Sequence, residues 1–326
     1  MADTSGADHF VALSECHFLN PEAVAEISGY YPNTARWWKS VQGVLRAWSG
    51  ELPAKRKPPI ASTLIEYMDE AGVDVCFCLR EGMMDISGGV MSLSSNQFML
   101  EQIAPYPDRM YLEAMVGPIL RRGVKHAIWE LEHLVTNYDA RLCKVYQPED
   151  SGPLDDPGMW PFYEKACELG VTLTMHTGMA YTYPQPSAHT HPDTLDKVLI
   201  DFPELKIVAY HMGWPHTEEL IGLAGKHEHL YLSLSGIVGW YQRAPYRGYH
   251  AIGTALQWVE PHKIVMGLDL PFLDTKRVVD WVRTLQIPAD LREQYGYAEI
   301  TDEMRAGFLG LNLAALTGIK TDKRIG

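Results

Sequence analysis

Apolar residues gather along the chain in short runs of six or seven, separated by longer stretches in which they recur every three or four positions. Eight runs stand out: HFVALSE (9–15), VDVCFCL (73–79), MYLEAMV (110–116), RLCKVY (141–146), VTLTMH (171–176), KIVAYH (206–211), LYLSLS (230–235) and KIVMGL (263–268). Several are apolar without alternation, which predicts parallel strands covered on both faces. The stretches between them predict helices. STLIEYMDEAG has Ser62 or Thr63 to cap its start and Gly72 to end it. GMWPFYEKACELG, HPDTLDKVLIDFP, HTEELIGLAGKH and DTKRVVDWVRTL follow the same period, and TDEMRAGFLGLNLAALTGI reads as a capped terminal helix.

Strands alternating with helices over the whole length predict an α/β fold, a (β/α)8 TIM barrel in one domain spanning 1–326. A doubly wound open sheet would require a glycine-rich phosphate loop after its first strand, and none is present. Two segments interrupt the alternation. Residues 20–60, with Tyr30, Tyr31, Trp37, Trp38 and Trp48, follow the first strand; residues 177–192, with Tyr181, Tyr183, His189 and His191, follow the fifth. In a barrel both lie over the face where catalytic loops gather, as pocket walls or as aromatic packing across the mouth.

A chain of 326 residues buries enough surface to fold without disulfides or a structural metal, so any metal is free for chemistry. The net charge of -13 repels nucleic acid, and the one tight basic run, Lys55 to Lys57, reads as a solvated loop between prolines. Five cysteines, an odd number set in apolar stretches, behave as buried thiols and point to a reducing cytoplasm. The first residues lack the charged and apolar regions of an export signal, and no apolar stretch reaches the roughly 18 residues of a membrane span.

Candidate chemistry sits at the ends of four of the runs. Glu15 and His17, two apart on one strand, face the same side; His176 closes the fifth run, His211 the sixth, and Asp269 follows the eighth. A single histidine in an apolar strand is more often a hydrogen-bonded core residue than a ligand. Four such sites at barrel strand ends are a different matter, because burying Glu15 and Asp269 without a cation costs several kcal/mol each or forces protonation. A mixed imidazole and carboxylate shell suits Zn²⁺ or Mn²⁺ better than Ca²⁺.

ECHF, MHTG, DFPELKIVAYHMG, GLDLPF and GLNLAALTG, in that order, resemble the amidohydrolase superfamily (amidohydrolase family 2), in the branch of aminocarboxymuconate semialdehyde, resorcylate and salicylate decarboxylases. Most members carry a second histidine two places after the first, where this chain has Leu19; resorcylate decarboxylases instead carry an acidic residue two places before it, as Glu15 stands here. The resemblance implies a metal shell of Glu15, His17, His176 and Asp269, with His211 beside it as acid/base. Those decarboxylases have an acidic residue where this chain has Trp214. Lys144 stands near the position of the carbamylated lysine of dinuclear members, but without a histidine at Leu19 a second metal lacks a ligand, and Lys144 reads as an ordinary barrel or loop lysine. Arg80, Trp214 and Tyr181 are the candidate substrate-binding residues. Arg80 offers a guanidinium fork to a carboxylate, or else pairs with Glu81 or Asp85.

The expected function is that of a cytoplasmic enzyme with one divalent metal, Zn²⁺ first with Mn²⁺ or Fe²⁺ as alternatives, acting on a small carboxylic acid by decarboxylation or hydrolysis. Asp269 and His211 are its expected catalytic residues. The long loops and HMGW are also similar to the dinuclear-metal monooxygenases that include isobutyrate hydroxylase, which implies as an alternative a subunit working beside a paralogue. A second alternative is a barrel whose metal only holds loops. A homodimer or a hetero-oligomer with a paralogous subunit is expected, with neither nucleic acid nor membrane as partner.

Overall fold

The computed structural model describes residues 9–20, 22, 59–84, 90–92, 94–150, 152–180, 186–270 and 273–325. The eight apolar runs form eight parallel barrel strands, each followed by a helix, in a TIM barrel. The first half runs β1 (Ala12–Phe18), α1 (Ala61–Ala71), β2 (Val75–Arg80), α2 (Asn96–Ile103), β3 (Met110–Met115), α3 (Val124–Tyr138), β4 (Leu142–Val145) and α4 (Trp160–Leu169). The second runs β5 (Thr172–His176), α5 (Asp193–Asp201), β6 (Ile207–Tyr210), α6 (Thr217–Lys226), β7 (Leu230–Ser233), α7 (Pro245–Trp258), β8 and α8 (Thr275–Arg283). β8 is two short pieces around Met266: Ile264–Val265 pairs with β7 and Gly267–Leu270 pairs with β1, which closes the ring. A short hairpin, Gly82–Met84 with Val90–Ser92, follows β2.

The strand pattern explains where the polar groups end up. Leu173 and Met175 pack outward in the large layer between strands and helices, so Thr172, Thr174 and His176 point the other way, into the barrel. The interior is apolar at its amino-terminal end, where Ala12, Val75, Phe77, Leu142, Val208 and Val265 pack together with Leu313 and Ala314 of the terminal helix. One layer further along the same strands the side chains become Ser14, Lys144 and Tyr210. The barrel is thus a packed plug below and a polar chamber above.

Two local expectations need correction. β1 begins at Ala12 and runs through Phe18, later than the 9–15 run, because its register breaks between Ser14 and Cys16 in both neighbouring pairings. α1 ends at Gly72 in left-handed conformation as expected, but it starts from Ile60 with no side-chain cap rather than from Ser62 or Thr63. The terminal helix is capped by Thr301 and passes through a π-helical segment, Gly307–Leu311, before ending at Gly318. Most of the 20–60 segment and residues 181–185 lie outside the described residues, and with them Tyr30, Tyr31, Trp37, Trp38, Trp48, Tyr181 and Tyr183. Among the described residues all five cysteines are free and no helix is long and apolar enough to cross a membrane.

Candidate metal centre

Three of the residues at this chamber break the ordinary backbone rule. Glu15 (φ 58°), His211 (φ 63°) and Asp269 (φ 56°) all take left-handed conformations that side-chain-bearing residues rarely adopt. Such strain persists where the surroundings over-determine it, and it turns each of these side chains to one point. One ligand atom from each of the three lies within 4.8 Å of the others, and all three residues are buried. Gly178, in MHTG, holds the adjoining loop close: at φ +90° its missing Cβ would stand 2.1 Å from the Trp214 carbonyl oxygen.

His17 completes the group. Its Nε2 is 3.8 Å from Glu15 Oε1 and 3.7 Å from Asp269 Oδ1, while its Nδ1 is 2.9 Å from Glu81 Oε2. His211 is arranged alike, with Nδ1 on the Ser235 carbonyl at 2.9 Å and Nε2 3.6 Å from Glu15 Oε1. In both rings a carboxylate or a carbonyl fixes one nitrogen and leaves the other aimed at Glu15, the arrangement that orients metal-binding histidines. His176 stands one step out, its Nδ1 3.0 Å from His211 Nε2 and its Nε2 2.9 Å from the Met179 carbonyl.

Glu15 has close partners besides these. Lys144 donates to one carboxylate oxygen and Ser235 to the other. Lys144 is therefore no ordinary lysine: it is buried, spans the chamber to Glu15, and lies 4.0 Å over the Tyr210 ring. Glu113 forms the floor, accepting from the Glu15 amide at 3.1 Å, Thr174 Oγ1 at 2.6 Å and the Tyr210 hydroxyl at 2.8 Å.

This arrangement sorts the protons. Burial pushes the Glu15 carboxyl up, but Lys144, His211 and His17 outweigh it and hold the group well below the ordinary range. Burial, together with the Glu15 charge, pushes Asp269 well above the ordinary range. Burial works against protonation of His17 as well, yet Glu81 and Glu15 raise it to about 10. His176 and His211 are pushed down, by burial first. Two carboxyls of one chamber are thus pushed in opposite directions.

Both observations fit a divalent cation. The proton that Glu81 and Glu15 favour on His17 carries positive charge that such an ion would replace, and burial keeps Asp269 from ionising readily without one. His176 and His211 give the second sign. The Met179 and Ser235 carbonyls only accept hydrogen bonds, so in the neutral rings His176 Nε2 and His211 Nδ1 carry the protons, and two lone pairs face each other across 3.0 Å. A shared cation resolves that contact.

Of the candidate substrate-binding residues, Arg80 is buried at the end of β2, where Nε donates to the Met115 carbonyl at 2.7 Å and Nη2 to the Gly117 carbonyl at 2.6 Å. Trp214 packs against Trp240 with ring centres 5.4 Å apart and lines a cavity of about 380 Å³ with Arg247 and His250. Tyr181 lies outside the described residues. The sequence reading missed the roles of Glu81, Lys144, Ser235 and Glu113 around the same point.

Glu149 lies near Arg80 and beside Gly117, with both carboxylate oxygens buried and without a hydrogen-bond partner among the described residues. Burial pushes it up to about 7 from 4.5, against the opposing pull of Arg80. An acid raised in the folded state contributes most below its unfolded value and loses that contribution as pH rises through the folded one. The loss here amounts to roughly 3 kcal/mol between pH 4 and pH 8. Glu149→Gln is expected to flatten the dependence over that range, raising the urea midpoint at pH 8 and leaving it nearly unchanged at pH 4. Parallel wild-type and variant curves would contradict it.

Comparison with known proteins decides the family. The Amidohydrolase family (Amidohydro_2) matches residues 93–318, more than two thirds of the chain. The chain belongs to this amidohydrolase family. Its fold is shared with an uncharacterized TIM-barrel protein from Bordetella bronchiseptica, 19% identical, covering 95% of this chain and 100% of that one, with TM-score 0.66. It is shared too with 5-carboxyvanillate decarboxylase from Sphingomonas paucimobilis, at 16% identity, 96% and 100% coverage and TM-score 0.63. A dihydroxybenzoic acid decarboxylase from a Polaromonas species, with bound manganese and the inhibitor 2-nitroresorcinol, is 16% identical, with 95% and 97% coverage and TM-score 0.62. No curated protein sequence matches the chain.

Proposed function

We propose that this amidohydrolase is a mononuclear metal-dependent enzyme that decarboxylates a small carboxylic acid without oxidation. The observation that carries the proposal is the meeting of Glu15, His211 and Asp269, each turned inward by left-handed backbone, midway along β1 and at the carboxyl ends of β6 and β8. Glu15, His17, Asp269 and the His176 Nδ1 that faces them would hold the ion, with His211 Nε2 in reach of the same point. When bound, the ion supplies Lewis-acid polarisation of a substrate carboxylate and a template for its orientation. The manganese bound in a decarboxylase of the same fold supports this reading.

The chain's own residues divide the remaining work. Lys144 and Ser235 keep Glu15 ionised and still. Asp269, ionised once it ligates the ion, would take up a proton from substrate or solvent, with His211 beside it to relay or orient that proton, and pass it to the carbon that loses carbon dioxide. Arg80 is proposed as the substrate-carboxylate anchor, with a guanidinium already fixed by two carbonyls. An oxygen-using subunit gains nothing from the structures above, and turnover that continues without oxygen would exclude it.

The test is direct. Metal-free protein titrated with Zn²⁺ or Mn²⁺ is expected to fill the barrel site once per chain and to release protons there at neutral pH, His17 being the first group to give one up. Calorimetry in buffers of different ionisation enthalpy measures the number. Uptake without proton release, or no uptake at Glu15, would remove the metal reading.

A further inference from the structure

A second cluster of metal-binding side chains lies outside the barrel, where the connection after β5 meets α6. His191 follows the short turn Ser187–Thr190, His216 immediately precedes α6, and Glu219 is in its first turn. One ring nitrogen of each histidine and one oxygen of Glu219 all lie within 4.8 Å of one another. Glu219 Oε2 is 3.2 Å from His216 Nδ1 and 3.6 Å from His191 Nε2, and the two rings stand 4.0 Å apart at 59°. On the side away from Glu219, His191 Nδ1 accepts from the Asp193 amide at 3.4 Å and lies 3.5 Å from Asp193 Oδ2, which holds the ring in place.

The backbone under the cluster is already fixed. Thr194 donates through its amide and its hydroxyl to the His191 carbonyl, at 3.2 and 2.7 Å, and the His216 amide donates to Gly213 at 2.8 Å. The two connections are joined nearby, Gly178 to Thr190 and Met179 to Trp214, each at 2.8 Å. Holding three side chains in one geometry therefore costs little further ordering. His216 and Glu219 also border the cavity of about 380 Å³ beside Trp214, so an ion reaches them without the fold opening.

We propose that His191, His216 and Glu219 form an auxiliary site for a divalent transition ion, Zn²⁺ foremost, which staples the connection after β5 to the start of α6. Two imidazoles and a carboxylate make a donor set that zinc accepts and that Ca²⁺ or Mg²⁺ does not favour. Three protein ligands leave a position for water, and with side chains this exposed the ion is held more weakly than in a buried site. The staple is independent of whether the barrel centre binds metal.

Equilibrium dialysis of chelator-treated full-length protein against Zn²⁺ tests it. His191→Ala/His216→Ala is expected to bind one zinc ion fewer per chain than wild type, and to lose the rise in melting temperature that the weaker ion gives. Far-UV circular dichroism checks the fold of the double variant. His216→Gln, the milder change, is expected to weaken the weaker site at least tenfold while leaving the other unchanged. Equal zinc stoichiometry in wild type and a folded double variant, or an unaltered weaker site in His216→Gln, overturns the proposal.

Discussion

An Asp269→Asn chain, freed of metal, is expected to melt above wild type while decarboxylating nothing at a measurable rate. Burial holds the Asp269 carboxyl well above its ordinary range, so the folded state resists ionising it. An amide carries no such penalty, and Asn tolerates the φ of 56° at this position at least as well as Asp does. By the sign of the shift, the advantage of Asn is small in acid and grows as pH rises past the unfolded carboxyl value. Turnover goes the other way, because the amide has no proton to deliver and is a poor metal ligand. A loss of about 10³-fold or more in kcat is expected on any acid that the wild-type chain decarboxylates. Melting curves at pH 5 and pH 8 beside carbon dioxide release check both halves, and undiminished turnover would sink the assignment.

The second large effect belongs to Lys144. Replacing it with Met is expected to destabilise metal-free protein by about 3–5 kcal/mol, the usual cost of removing one partner from a buried ion pair. Glu15 is only 1% exposed and has no route to water once the ammonium is gone. The added change Glu15→Gln is expected to recover most of the loss, which distinguishes a stranded charge from a packing defect. Urea denaturation of the two single variants and the double variant measures the coupling. A Lys144→Met chain within about 0.5 kcal/mol of wild type would show that Glu15 finds its compensation elsewhere.

The barrel was legible because its strands are covered on both faces: runs such as VCFCL and KIVAY have no solvent side to interrupt them. Boundaries were less so. β1 drifted because Glu15 kinks the strand, and nothing in HFVALSECHF announces a left-handed residue. The ligand-type residues at strand ends were visible as residue types at the right register. Their partners were not, since Lys144 and Ser235 reach Glu15 across the barrel and Glu81 reaches His17 from the end of the neighbouring strand. A signal did exist for two of them. Lys144 in LCKVY and Glu113 in MYLEAM are lone charges inside apolar strands, and a charge that cannot face the helices must face the chamber. Arg80 shows the opposite case, a guanidinium whose adjacent acids in sequence gave no hint that it would grip backbone carbonyls of the next strand.

The left-handed turns at Glu15, His211 and Asp269 have an evolutionary corollary. Branched aliphatic residues are shut out of these positions by the main chain itself, whatever selection does to the chemistry, so drift there is funnelled towards Asn, Asp, Gly and His. Asp and Asn codons differ by a single base. A working catalyst of this shape and a sturdier, inert descendant are thus neighbours in sequence space, and gene copies relieved of their reaction have an open path to becoming ligand carriers without first rebuilding the scaffold.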